Sequence, residues 1–144
     1  MHRLEWAIAF AGVLPFAVAT VAMLWGDSHI RVPAIAALVT FAAIILSYLG
    51  GIEWGLALQE SAGNERTRAL GLGFSTLPAL AAWGILWAPS PRWQVGAALG
   101  LFIAVWAADL ALSRHGLVPA WFVDLRTAIT AVVAVILGFA LYLL

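Results

Sequence analysis

Residues 33–58 read PAIAALVTFAAIILSYLGGIEWGLAL, an apolar run broken by a single charge, Glu53. A helix needs about 20 such residues to cross the hydrocarbon core of a bilayer, so this stretch is long enough to span one. Four more runs of the same character lie around it: Leu4–Trp25, Ala69–Ala88, Trp93–Ser113 and Trp121–Leu144. The connectors are short and polar or rich in helix breakers: Gly26-Asp27-Ser28-His29, Gln59 through Arg68, Pro89-Ser90-Pro91-Arg92 and Arg114-His115-Gly116. Short connectors make consecutive helices antiparallel. The expected fold is all-α, an integral membrane bundle of five transmembrane helices forming one domain over residues 1–144.

Composition leads to the same place. Of 144 residues, 65% are hydrophobic and 10% charged, with a mean hydropathy of +1.03. Soluble domains sit near about 45–50% apolar and about 25% charged, so this chain has too little polar surface to show water. Trp6, Trp25, Trp54, Trp87, Trp93 and Trp121 fall near predicted helix ends, where amphipathic indoles meet the headgroups. Seven Arg balance seven Asp and Glu, and there is no Lys. Nothing is basic enough to hold nucleic acid. The absence of Cys excludes disulfides, thiolate metal sites and thiol nucleophiles.

Ala17-Val18-Ala19 resembles a signal-peptide cleavage site, but the apolar run continues past it to Trp25, so the first segment is expected to be a retained helix. Arg3, Arg66, Arg68 and Arg114, with Arg126 nearby, fall on the N-terminal side of the bundle, against Arg31 and Arg92 on the other. The positive-inside rule then puts the N-terminus in the cytoplasm or organelle matrix and the C-terminus outside. An internal echo links two halves of the chain. Leu14-Pro15, Leu24-Trp25 and Ala36-Ala37-Leu38 with Phe41 correspond to Leu77-Pro78, Leu86-Trp87 and Ala97-Ala98-Leu99 with Phe102. Two parallel-duplicated hairpins plus a fifth helix would produce that spacing.

Each hairpin would carry one acid late in its second helix, Glu53 or Asp109. At about 1.5 Å per residue both lie roughly a turn and a half inside the membrane boundary, on the same side. A carboxylate at that depth costs at least a few kcal/mol and must face protein or water with a partner. Arg126, in Asp124-Leu125-Arg126-Thr127 at the start of the last helix, is the nearest cation. There it opposes the helix macrodipole, whereas Asp124 complements it, so Arg126 is expected to serve a partner carboxylate. Glu53, Asp109, Asp124 and Arg126 thus form a candidate intramembrane polar cluster with more negative than positive charge. It reads either as an ion pair that fixes packing or as an ion, proton or ligand site.

Ser47-x-x-x-Gly51-x-x-x-Gly55 and Gly96-x-x-x-Gly100 are stripes of small residues that let helix backbones approach closely. They are expected to pack helices within the bundle, or to meet a second copy or a membrane-protein partner. Pro15 and Pro78 lie inside helices and release the carbonyls of Ala11 and Phe74, with Ser75 and Thr76 placed to hydrogen-bond beside the second kink. His2, His29 and His115 fall at helix ends and not all on one side, which suits neither haem nor metal in the bundle core. No Glu-x-x-His pair, nucleophile elbow, phosphate loop or zinc spacing appears, so no enzyme activity, cofactor or metal is expected.

Leu46-Ser47-Tyr48-Leu49-Gly50-Gly51-Ile52-Glu53-Trp54-Gly55-Leu56-Ala57 resembles the second-helix motif of the transmembrane protein 69-like family (domain of unknown function 3429). Asp109, Pro119-Ala120-Trp121-Phe122, Leu125-Arg126 and Thr130 are similar to its later pattern. The family pattern often has His where Glu53 stands, so a role needing an imidazole does not carry over. The resemblance implies a multi-pass protein of a bacterial or mitochondrial inner membrane. The translocator-protein family, also five-helical, is set aside because its Trp-Pro-rich and Asn-rich motifs are missing. Two functional classes follow: an accessory, assembly or structural membrane component, or a small ion or proton channel, carrier or small-molecule-binding protein that uses Glu53 and Asp109.

Overall fold

A computed structural model describes residues 2–59, 65–116 and 118–144, without the side chain of Thr67. Its described residues fold into helices joined by short turns: α1 (Arg3–Ala11), α2 (Leu14–Trp25), α3 (Ser28–Gln59), α4 (Glu65–Ile85), α5 (Pro91–Arg114) and α6 (Ala120–Leu143). Much of the connector expected between Gln59 and Arg68, residues 60–64, lies outside the described residues. Four spans are long and apolar enough to cross a membrane: Arg3–Trp25, Ser28–Gln59, Pro91–Arg114 and Ala120–Leu143. α4, with Glu65, Arg66 and Arg68 in its first turn, is not among them.

Several boundaries depart from the expected ones for local reasons. The first span is two helices rather than one, because Pro15 has no N–H for the Ala11 carbonyl and the chain turns at Gly12–Val13. α3 starts at Ser28, five residues before Pro33. Asp27 caps it, its Oδ1 accepting from the backbone N–H groups of His29 at 3.0 Å and Ile30 at 3.3 Å. Pro33 costs only the bond to the His29 carbonyl, near the helix end, and does not break the helix. Near Pro78, Ser75 and Thr76 bond the carbonyls of Leu72 and Gly73, each at 2.7 Å, rather than that of Phe74. Ser90 caps α5 ahead of Pro91, and Gly116, at φ +73°, turns the chain out of it.

α3 is the central element. It packs against α4 most extensively and also against α2 and α5, while α6 packs on α5 and α2. Gly50 meets Ser75 and Pro78, and Gly71 meets Ala57, so α4 runs antiparallel to α3. A Cβ at Gly50 would sit 2.5 Å from the Ser75 backbone oxygen, a spacing only glycine allows. The Arg31 guanidinium donates to the Leu143 carbonyl at 2.5 Å, joining the start of α3 to the end of α6. At the opposite end His2 stacks on Trp121, with centroids 4.1 Å apart.

Phe16 anchors the interior edge-on to Phe41 and Phe102, with Met23, Leu38, Leu46, Val95, Val133 and Leu137 completely enclosed. The outside is apolar too: Ile8, Val18, Ile44, Phe74, Leu80 and Val135 are all more than half exposed. An apolar exterior around an apolar interior suits lipid as the surrounding solvent. Trp25, Trp87 and Trp93 project outward at one end of the bundle, and Trp54 and Trp121 are exposed toward the other.

Candidate intramembrane polar site

Three helices bring a charged residue to a common depth. Glu53 lies six residues before the end of α3, Asp109 five before the end of α5, and Arg126 six after the start of α6. Each is therefore about 8–9 Å inside the same end of the bundle. Asp109 is 2% exposed and Arg126 6%, both among the most enclosed polar residues described. Arg126 donates from Nε to the Asp109 Oδ2 at 2.8 Å, a charge-assisted bond at full strength. One turn away, Trp106 Nε1 donates to Thr127 Oγ1 at 2.8 Å and adds a second bond between α5 and α6.

Glu53 is half-buried beside this pair. Its carboxyl is near enough to Asp109 and Arg126 for both charges to act on it. The contact is not a complete pairing. Glu53 Oε1 and Arg126 Nη2 are both buried without a hydrogen-bond partner among the described residues. So is Thr130 Oγ1, one helical turn beyond Arg126 on the same buried face of α6. Shallow apolar surface depressions are lined by Ala131, Val132, Val135 and Ile136, and by Arg92, Trp93, Gly96, Ala97 and Leu141. Neither is lined by a member of the cluster.

Of the four residues expected in the cluster, Asp109 and Arg126 are bonded, Glu53 lies at the same depth, and Asp124 stands apart. It is exposed and makes no ion pair with Arg126 among the described residues. Its position two residues before Arg126 turns it about 200° around the helix, to the outer face. The glycines expected to join helices inside the bundle also need correction. A Cβ at Gly51, Gly55, Gly96 or Gly100 would meet nothing within 4 Å. The close approach falls on Gly50, one position away, whose face of α3 turns inward. The sequence marked Gly50 only as half of a Gly-Gly pair. Thr20, a buried polar residue on α2, carries no signal in the sequence.

Comparison with known proteins fits this arrangement. The model of the family described as "Protein of unknown function (DUF3429)" matches residues 1–142. Transmembrane protein 69 of Xenopus tropicalis is 38% identical over 128 residues, covering 87% of this chain and 48% of that protein. The chain therefore spans about half the length of that curated relative. No solved structure matches. With the match running through every helix from α1 to α6, the chain belongs to the DUF3429 family of proteins, which includes relatives named transmembrane protein 69.

Proposed function

We propose that this chain is a non-enzymatic accessory, assembly or structural component of a bacterial or organelle inner membrane, with its acid–Arg cluster serving as a lock between helices. The observation that carries this reading is the Asp109–Arg126 bond at 2.8 Å, enclosed between α5 and α6 with Glu53 of α3 beside it. A buried pair of this kind fixes helix register and rotation at sites where apolar packing alone discriminates weakly.

Five crossings fit the lock better than four. α4 is 21 residues long and antiparallel to α3 from Ala57–Gly71 through Gly50–Ser75, so it returns alongside a spanning helix. The arginine bias puts the N-terminus and the cluster on the inner side. The parallel-duplicated hairpin accounts for the matching positions of Glu53 and Asp109. A second copy or another membrane protein would meet the chain on the outward stripe of Ser47, Gly51 and Gly55.

The second reading, a small channel, carrier or ligand-binding protein, draws its support from the buried Glu53 Oε1 that makes no bond. Liposome reconstitution separates the two. Wild type and Glu53→Gln showing the same proton and ion flux as empty vesicles supports the lock, whereas flux lost on Glu53→Gln replaces it with transport.

A further inference from the structure

The end of the bundle away from the acid–Arg cluster carries a guanidinium that nothing in the fold uses. Arg92 stands exposed in the first turn of α5 and makes no hydrogen bond or ion pair among the described residues. Its charge there opposes the macrodipole of its own helix. The other charged groups at this end are committed: Arg31 donates to the Leu143 carbonyl, and Asp27, the one acid there among the described residues, caps α3. Arg92 shares an open groove of about 470 Å³ with Trp93, Gly96 and Ala97 of α5 and Leu141 of α6. A Cβ at Gly96 would meet nothing within 4 Å, and the same holds at Gly138, three residues before Leu141, so the floor stays open. Gly96 lies five residues inside the start of α5, and the groove therefore reaches about 7–8 Å from the helix end toward the hydrocarbon. Trp93, 69% exposed beside Arg92, marks the headgroup level, as Trp25 and Trp87 do around it.

We propose that this groove between α5 and α6 holds an anionic phospholipid, its phosphate against Arg92 and an acyl chain along Gly96, Ala97 and Leu141. The charges are complementary, because an uncommitted guanidinium presents its planar fork to two phosphate oxygens. Past Arg92 the lining is aromatic and aliphatic and lies open to the bilayer along its side, so the occupant enters from the lipid and is part phosphate, part hydrocarbon. A free phosphate ion would leave the apolar floor unfilled. A second copy of the chain fits less well. Two copies inserted the same way, related by a two-fold axis along the membrane normal, would bring Arg92 against the same residue of the other copy. A zwitterionic headgroup offers the same phosphate but sets its own cation beside Arg92. One arginine near a membrane surface favours anionic over neutral lipid by about fivefold. The groove is at the opposite end from the Asp109–Arg126 bond and depends on neither reading of that cluster.

Photocrosslinking of the full chain, reconstituted in phosphatidylcholine bilayers, tests it. The probes are phosphatidylglycerol and phosphatidylcholine in trace amounts, each with a diazirine in one acyl chain, and mass spectrometry maps the adducts. On wild type the phosphatidylglycerol probe should mark the peptides containing Gly96, Ala97 and Leu141 about five times as strongly as the phosphatidylcholine probe. Arg92→Gln should bring the two yields together, and Arg92→Lys should keep most of the preference. Arg68→Gln, at the other end of the bundle, should leave it unchanged. Gly96→Leu fills the groove from a position whose Cβ meets no neighbour, and should lower the yield of both probes there at least fivefold. Equal yields on wild type overturn the proposal, as does a preference that survives Arg92→Gln or is lost equally in Arg68→Gln. Adducts spread evenly over outward residues such as Val18 and Val135 also overturn it. So does a wild-type dimer that becomes monomeric in Gly96→Leu without any lipid preference, since the groove is then an interface between copies. Should a variant fail to fold, the two probes compared on wild type decide alone.

Discussion

Arg126 on α6 reaches Asp109 on α5 with its Nε at 2.8 Å from Oδ2, and the two are 6% and 2% exposed. The bond spans the turn at Gly116, so it closes the last hairpin of the chain at the end where that hairpin is joined. Removing one partner leaves the other charged and buried, which costs about 3–5 kcal/mol in known cases. Arg126→Leu and Asp109→Leu should each destabilise the protein on that scale, measured by denaturant or thermal unfolding in micelles. The double Leu variant should recover most of the loss, because neither charge of the pair is left without the other. Equal additive losses in the double variant would mean that the pair does not act as a unit.

Gly50 and Gly51 give a sharper contrast. A methyl at position 50 would sit 2.5 Å from the Ser75 carbonyl oxygen, and backbone cannot step aside. Gly50→Ala should therefore force α3 and α4 apart at a cost of about 1–3 kcal/mol, comparable to overpacking a core. Gly51→Ala meets open space and should change stability by less than about 0.5 kcal/mol. Parallel unfolding curves for the two variants would show the close approach to be elsewhere.

That pair of glycines also shows which parts of the molecule were legible in advance. Four of the spans and the choice of Arg126 as counter-charge to Asp109 follow from length and the cost of an unpaired charge in lipid, whereas the missing N–H of Pro15 suggests a kink and the chain there makes a full break. Which face of a helix turns inward does not follow, because α3 is nearly as apolar toward lipid as toward its neighbours. Residues 50 and 51 differ by about 100° around the helix, and no hydrophobic asymmetry says which is inside. Asp124 stands apart from Arg126 for the same reason: proximity in sequence does not encode rotation around the helix. The cap at Asp27 is masked in the sequence by Pro33, which looks like a stronger stop than it is near a helix end.

Trp106 Nε1 donates to Thr127 Oγ1 at 2.8 Å, one turn from the ion pair. Trp106→Phe keeps much of the ring and deletes the donor, so it should cost about 0.6 kcal/mol, the average for interhelical hydrogen bonds in membranes. Thr127→Val should cost the same, and combining the two should add little. The coupling is read from a double-mutant cycle in the same unfolding assay.

The topology can be read with single cysteines, since the natural chain has none and every signal would come from the introduced thiol. Ser90 caps α5 at one end of the bundle, and Arg114 closes it at the other, exposed. If α5 crosses with the arginine-rich end inside, a membrane-impermeant maleimide added to intact cells or right-side-out vesicles should label Ser90→Cys at once. Arg114→Cys should react only after the inner face is opened. Trp25→Cys, at the end of the first span and 82% exposed, should behave like Ser90→Cys. For α4, the Glu65→Cys and Leu86→Cys variants should divide in the same way, Glu65→Cys protected and Leu86→Cys accessible, since α4 runs back along α3 between them. Labelling of both α4 positions from one face would show that α4 does not cross, and labelling of Arg114→Cys from outside would reverse the orientation of the bundle.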